Sequence, residues 1–239
     1  MSIRAVCFDL DNTLWDVWPV IRRAEHVMYD FLVQRYPKAV ASMTVESLRA
    51  ARAQAASLYP HMAHDFSFLR HQSLRDQAAA AGYPASMADE AFEVFMRARS
   101  QVELYADVPA GLQLLHRRYR LFSASNGNAD LAQIGIQHFF ERSVTARQVG
   151  VLKPDPAMFL KVIEDTGLSP AEVAFVGDDP ELDVEGARRV GMRPVWMDRD
   201  AAPWPATLEP PPVRVTDLAE LIAWLETSSA GRIRALENA

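Results

Sequence analysis

Four small groups of polar residues in this sequence could act together: Asp9-Leu10-Asp11, Ser125-Asn126-Gly127, Lys153-Pro154, and Asp178-Asp179 with Asp183. Residues two apart on an extended chain point to one face, so Asp9 and Asp11 would present their carboxylates side by side. Such carboxylates repel, and one stays protonated unless a cation intervenes. A hard divalent ion such as Mg²⁺ takes oxygen ligands, and Asp178, Asp179 and Asp183 are candidates for the remaining ones. A lone Asp-x-Asp is equally a pair of turn or cap acids, but two acid clusters that each close a predicted strand weigh against that reading. Lys153 stands out because the chain has 22 arginines and only three lysines, Lys38, Lys153 and Lys161. In so arginine-rich a chain, a lysine suits a place where a compact point charge is wanted, as at a phosphate. Ser125 offers a hydroxyl, and the turn at Asn126-Gly127 can present backbone N–H groups to an anion. Asn-Gly is also an ordinary turn dipeptide.

These groups need a scaffold that brings them together. Ile3–Asp9, Tyr119–Ala124, Glu172–Val176 and Arg193–Met197 read as short buried strands, with Ser143–Ala146 as a further one. Helices are predicted between them: Pro109–Arg118, a helix capped by Asp155 with Pro156 in its first turn, Pro180–Val190 stopped by Gly191, and Asp217–Glu226. Pro203–Pro212 holds five of the 15 prolines and reads as a loop. Strand and helix in alternation argue a parallel α/β sheet. In an open α/β sheet ligands bind beyond the carboxyl ends of the strands, which is where the polar groups fall.

The stretch from Asp16 to Glu103 differs from the rest. Between residues 16 and 105 there is one glycine, Gly82, while the other nine lie after residue 110. That composition reads as helices: Val17–Tyr36, one capped by Thr44 with Ser47 as a weak capping box, Phe66–Ala81 and Ala85–Leu104. The fold class expected is therefore α/β, a Rossmann-like parallel sheet with an inserted α-helical domain. Its predicted parts are a core of 1–14 and 106–226, a helical insertion of 15–105, and a frayed tail of 227–239.

The chain has 239 residues and a net charge of -6, which disfavours a nucleic-acid partner. The insertion is neutral, with ten acidic and ten basic residues, so the excess belongs to the core. The five site aspartates alone account for most of it. One cysteine, Cys7, permits no intramolecular disulfide, and its place inside the first strand makes it a small core hydrophobe. No apolar run approaches a membrane span, and the first residues do not read as a signal peptide. A cytoplasmic location, no membrane partner, and a monomer or homodimer are expected.

The order of the motifs resembles the haloacid dehalogenase superfamily. Phe8-Asp9-Leu10-Asp11-Asn12-Thr13-Leu14 is similar to its first motif and Ser125-Asn126-Gly127-Asn128 to its second. Lys153-Pro154-Asp155-Pro156 resembles the third, and Gly177-Asp178-Asp179 with Asp183, Gly186 and Ala187 the fourth. The resemblance implies a phosphohydrolase with a C1-type cap. It implies that Asp9 is the nucleophile that forms an aspartyl-phosphate, and that Asp11 is the general acid and then the general base. Ser125 and Lys153, with Asn126 and Gly127, would hold the phosphoryl group. Mg²⁺ would be held by the Asp9 carboxylate, the Asp11 main-chain carbonyl and Asp178, with Asp179 and Asp183 behind them. The name-giving dehalogenases typically lack an acid two residues past the nucleophile, so Asp11 favours the phosphatase reading. A dehalogenase, a phosphomutase or a non-catalytic phospho-ligand module are the alternatives. A response-regulator receiver fits poorly in length and in motif order.

The cap would read the substrate. Four of the six histidines lie there, and Tyr59–Arg70 mixes aromatics with His61, His64 and Arg70, the expected substrate contacts. A loop and helix start with core aromatics is the bland alternative. Trp15 and Trp18 flank the entry to the cap, to pack at the hinge or touch substrate, with packing the favoured role for an aromatic at such a boundary. A looser similarity links Asp16–Arg70 and the Gly177-Asp178-Asp179 motif to bacterial phosphatases of flavin mononucleotide or its ribitylamino-pyrimidine precursor. The expected partner is a small phosphorylated metabolite, with flavin mononucleotide, nucleotides and sugar phosphates as candidates.

Overall fold

Ala5–Phe8 is apolar at every position because it is buried on both faces, and it forms the central strand β1. The computed structural model describes residues 2–237, with side chains through residue 228. The other strands are β2 (Arg120–Ser125), β3 (Arg142–Thr145), β4 (Val173–Gly177), β5 (Arg193–Met197) and β6 (Arg214–Val215). All pair in parallel in the order β3-β2-β1-β4-β5-β6. That order reverses beside β1, the place where open α/β sheets bind ligands. Phe8 sits opposite Ser123 of β2 and Val176 of β4, so the residues that follow the three strands converge at this point.

One layer of the core stacks the helix Pro156–Ile163, through Met158, Phe159 and Val162, on Ala5, Cys7, Phe122 and Phe175 of the sheet. Cys7 is fully buried there, and burial pushes its thiol pKa up, so it behaves as a small hydrophobe. The helices Val108–His116 and Leu218–Glu237 meet at Gly111, where a Cβ would sit 2.6 Å from Leu218. The last helix runs on to Glu237 instead of stopping at Glu226; no proline interrupts it, and Arg, Ala, Leu and Glu follow its Thr-Ser-Ser-Ala-Gly stretch. The side chains of 229–239 lie outside the described residues.

By its contacts the chain divides into two units. The sheet unit holds the chain up to Asp16, Glu103–Gly127 and everything from Ile136. The helical unit holds Val17–Val102 together with Asn128–Gly135, so this short segment after β2 packs with the insertion and not with the sheet. Within the helical unit Asn128 donates to Ser67 Oγ at 3.1 Å.

The helical unit is built on Val17–Arg35, Val45–Leu58, Phe66–Ala81 and Ser86–Arg99. Ala24, Met28 and Leu32 recur every four residues on one face and pack with Leu74, Ala78, Met87, Ala91 and Phe95. Thr44 and Ser47 form a reciprocal capping box, and Asp65 caps the next helix through Phe68 N–H at 2.9 Å. Gly82, at φ 72°, ends that helix in a left-handed turn that a side chain would resist. The helix expected over Ala85–Leu104 stops at Arg99 because Leu104 instead pairs as an isolated β-bridge with Trp15 in the sheet unit. Among the described residues no helix is long and apolar enough to cross a membrane.

Candidate active site

The carboxyl ends of β1, β2 and β4 carry the chemistry. Asp9 follows β1, and its N–H donates to the Val176 carbonyl at 2.8 Å, so the nucleophile candidate is fixed by the ladder itself. Its carboxylate is buried and meets Lys153 Nζ at 2.5 Å. The same ammonium reaches Asp183 Oδ1 at 2.6 Å. Burial opposes the lysine's charge, but Asp183 and Asp9 more than offset that, and the net shift holds the ammonium well above its ordinary pKa. A buried cation with two carboxylate partners stays charged.

The carboxylates are in the opposite situation. Burial drives the Asp9 pKa well up, Lys153 pulls it back only in part, and Asp183 and Asp178 push it further. Asp178 is raised to about 7, mainly by burial and then by Asp183. Asp9, Asp178 and Asp183 each offer an oxygen within 4.8 Å of the others. Fully ionised, three carboxylates against one ammonium would leave two negative charges unbalanced, and burial with that crowding is what pushes Asp9 and Asp178 up. An all-oxygen donor set with that charge fits a hard divalent cation.

Local structure explains the convergence. Asp183 lies in a π-helical turn, Pro180–Glu185, which Asp179 caps by accepting from Glu181 N–H at 2.9 Å and Leu182 N–H at 2.8 Å. The pattern predicts one continuous helix over Pro180–Val190; the wider turn instead brings Asp183 back toward the end of β4, and only Gly186–Arg189 is α-helical. Gly177 permits this approach, since a Cβ there would sit 2.3 Å from the Asp183 carboxyl carbon. Gly177→Ala should therefore cost about 1–3 kcal/mol of stability in a urea melt; an unchanged melt would show that Asp183 can withdraw freely.

Thr13 Oγ1 donates to Asp178 Oδ1 at 3.3 Å, and Trp196 Nε1 donates to the Asp178 carbonyl at 2.8 Å. Asp11 stands apart from the three-carboxylate group, and its Oδ1 accepts from Trp15 Nε1 at 2.9 Å. Ser125, at the end of β2, is buried, and its Oγ accepts from Gly127 N–H at 3.0 Å, leaving its own hydrogen to donate. Asn126, whose turn is expected to offer backbone N–H groups to a phosphate, uses its side-chain amide on the main chain of Lys153. It accepts from Lys153 N–H at 2.7 Å and donates to the Lys153 carbonyl at 3.3 Å. Asn126 thus positions the lysine.

The three cap residues singled out from sequence belong to the helical unit. His61 is exposed on the short turn Pro60–Met62 and His64 is half-buried. Arg70 is buried: its guanidinium pairs with Glu25 at 3.3 Å and lies 3.7 Å from the Phe95 ring centroid. Burial pulls its pKa down to about 10 against the pull of Glu25. Glu25 is shared with Arg49 at 2.6 Å, so Arg70 is held inside the unit. Thr13, Trp15 and Trp196 were not assigned to the site from sequence. Thr13 and Trp15 adjoin the first polar group, which is a usable signal; nothing in the sequence marks Trp196.

A family model described as haloacid dehalogenase-like hydrolase matches residues 3–191. The Escherichia coli 5-amino-6-(5-phospho-D-ribitylamino)uracil phosphatase YigB is 32% identical over 199 residues, 82% of this chain and 83% of that protein. A Thermus thermophilus phosphoserine phosphatase is 36% identical over 158 residues, 64% of this chain and 63% of that one. Among solved structures, a 2-haloacid dehalogenase from Pseudomonas syringae pv. Tomato DC3000 matches with a TM-score of 0.88 at 34% identity, covering 94% of this chain and 99% of that one.

Proposed function

The chain belongs to the haloacid dehalogenase-like hydrolases, and from that premise we propose that it is a Mg²⁺-dependent phosphatase of a small phosphorylated metabolite. The observation that carries this reading is the close group of Asp9, Asp178 and Asp183, in which buried Asp9 and Asp183 share the Lys153 ammonium and Asp178 is half-buried. Its unbalanced charge suits a divalent cation followed by a phosphate dianion. The ion would be held by the Asp9 carboxylate, the Asp11 carbonyl and Asp178, with Asp183 and Asp179 behind them. When bound, Mg²⁺ neutralises charge on the phosphoryl oxygens.

The protein's own groups do the rest. An Asp9 oxygen attacks phosphorus to form the aspartyl-phosphate. Lys153 and the Ser125 hydroxyl hold the transferring oxygens. Asp11 gives a proton to the leaving alkoxide and later takes one from the water that attacks the phosphoenzyme. The phosphatase names of relatives, and YigB above all, direct the substrate search to ribitylamino-pyrimidine phosphates and flavin mononucleotide. A panel of these with nucleotides, phosphoserine and sugar phosphates, assayed for phosphate release with Mg²⁺, tests the reading. Turnover that survives a chelator would overturn it.

The likeness to a 2-haloacid dehalogenase favours a second reading. Asp11 separates the two, because a halide leaving group needs no proton. Halide release from 2-chloropropionate with no phosphate released from any ester would decide for it.

Metal binding should depend on pH with a definite sign. With the Asp178 pKa near 7, a proton competes with the ion below that value. Mg²⁺ affinity, measured by calorimetry, should tighten as pH rises toward about 7, by up to about tenfold per unit for one displaced proton. Affinity unchanged between about pH 5.5 and 7.5 would remove Asp178 from the ligand set.

A further inference from the structure

Trp15 has no exposed surface (0%), and its indole reaches a group proposed to move protons. Nε1 donates to Oδ1 of Asp11 at 2.9 Å. The ring is fixed through its main chain. Trp15 bridges Asp11 on one side and Leu104 on the other, and its carbonyl accepts from Asn12 N–H at 2.7 Å. Asn12, at φ 61°, turns the chain back so that residue 15 lies beside residue 11. Leu14 N–H closes the same turn on the Leu10 carbonyl at 2.8 Å.

An indole N–H only donates. Of the two carboxyl oxygens, the one without a hydrogen is the stronger acceptor, so the indole favours its place on Oδ1. Resting on the general-acid role of Asp11, we propose that Trp15 is a positioning residue that keeps Oδ1 of Asp11 as the acceptor, so that the transferable proton is carried on Oδ2. In the first half-reaction an Asp9 oxygen bonds to phosphorus and the bond from phosphorus to the leaving oxygen breaks. The Oδ2 proton passes to that oxygen, which departs as a neutral alcohol. In the second half-reaction a water oxygen bonds to phosphorus and the Asp9–phosphorus bond breaks. Oδ2 recovers a proton from that water. The indole keeps its hydrogen throughout and holds the Asp11 side chain in one rotamer through both transfers.

Phenylalanine at position 15 fills most of the same space and lacks the donor. Wild type, Trp15→Phe and Asp11→Asn are compared on p-nitrophenyl phosphate, whose leaving group departs as a stable anion, and on phenyl phosphate, whose leaving group needs the proton. Trp15→Phe should lower kcat/KM, which reports the step that expels the leaving group, by about tenfold or more on phenyl phosphate and by about threefold or less on p-nitrophenyl phosphate. Asp11→Asn should show the same pattern more strongly. Equal losses of kcat/KM on both esters, with the pattern still present in Asp11→Asn, overturn the role of Trp15 alone. Absence of the pattern in Asp11→Asn overturns the general-acid reading itself, and this proposal with it. If Trp15→Phe does not fold, the Trp15 indole N–H resonance decides. It should lie downfield in wild type and move upfield in Asp11→Ala, and a resonance that stays put overturns the contact.

Discussion

Asp9→Asn should lower kcat on every phosphate ester by at least about a thousandfold and leave no phosphoenzyme detectable by intact mass after a rapid quench. The amide has no ionised oxygen to attack phosphorus. Its effect on stability should run the other way. In wild type the Asp9 charge is buried, opposed by Asp183 and Asp178, and only partly answered by Lys153. Asparagine removes one of the three crowded charges and leaves Lys153 its bond to Asp183. The melting temperature should hold or rise while activity vanishes, as expected of a group kept strained for chemistry. An Asp9→Asn variant that retained more than about a hundredth of wild-type kcat would exclude Asp9 as nucleophile.

The parts of this site that sequence carries are those set by local pattern. Ala5–Phe8 and Val173–Gly177 are buried on both faces and read as unbroken apolar runs, so the acids that end them fall at the sheet's edge. Lys153 was visible by composition. What sequence did not carry depends on partners far along the chain. Arg70 has the polarity of a substrate contact, but Glu25, 45 residues away, draws it inside. The side chain of Asn126 is held by the main chain of Lys153, 27 residues on, a contact that the turn dipeptide does not announce. β6 is two residues long and exists only because β5 offers a free edge, so no periodicity could announce it. The π-helical turn at Pro180–Glu185 has an ordinary helix-start sequence, and only the approach of Asp183 to Gly177 gives it a reason. Trp15 and Trp18 read alike as aromatics at the entry to the helical insertion, yet Trp15 is buried and Trp18 is 64% exposed, and the bond from Trp15 to Asp11 needs the turn at Asn12.

Lys153→Met should abolish turnover and also destabilise the fold, and the two effects should separate. The ammonium is the one cation bonded to Asp9 and Asp183 among the described residues. Removing one partner from a buried ion cluster costs about 3–5 kcal/mol when the remaining charges stay ionised. Here they need not, because Asp9 and Asp178 already lie above their ordinary pKa and can take up protons. Protonation relieves the loss at low pH only. A carboxyl whose folded pKa exceeds its unfolded one binds more protons in the native state, so stability falls as pH rises between the two values. Wild type carries this slope through Asp178 up to about 7, and losing the lysine must raise the carboxyl values further. The gap in melting temperature between wild type and Lys153→Met should therefore be small near pH 5 and wide near pH 8, as read by calorimetry at about those two values. Mg²⁺ should narrow the gap at the higher pH, because a bound divalent cation answers the same excess charge. It should not restore turnover, because the phosphoryl oxygens still lack the ammonium that holds them. Lys153→Arg should also lose kcat, since the larger planar guanidinium would have to push apart the buried Asp9 and Asp183 carboxylates that now meet a single nitrogen. A gap independent of pH would mean that the lysine acts by packing, and turnover recovered by Mg²⁺ alone would mean that it serves the acids and not the substrate.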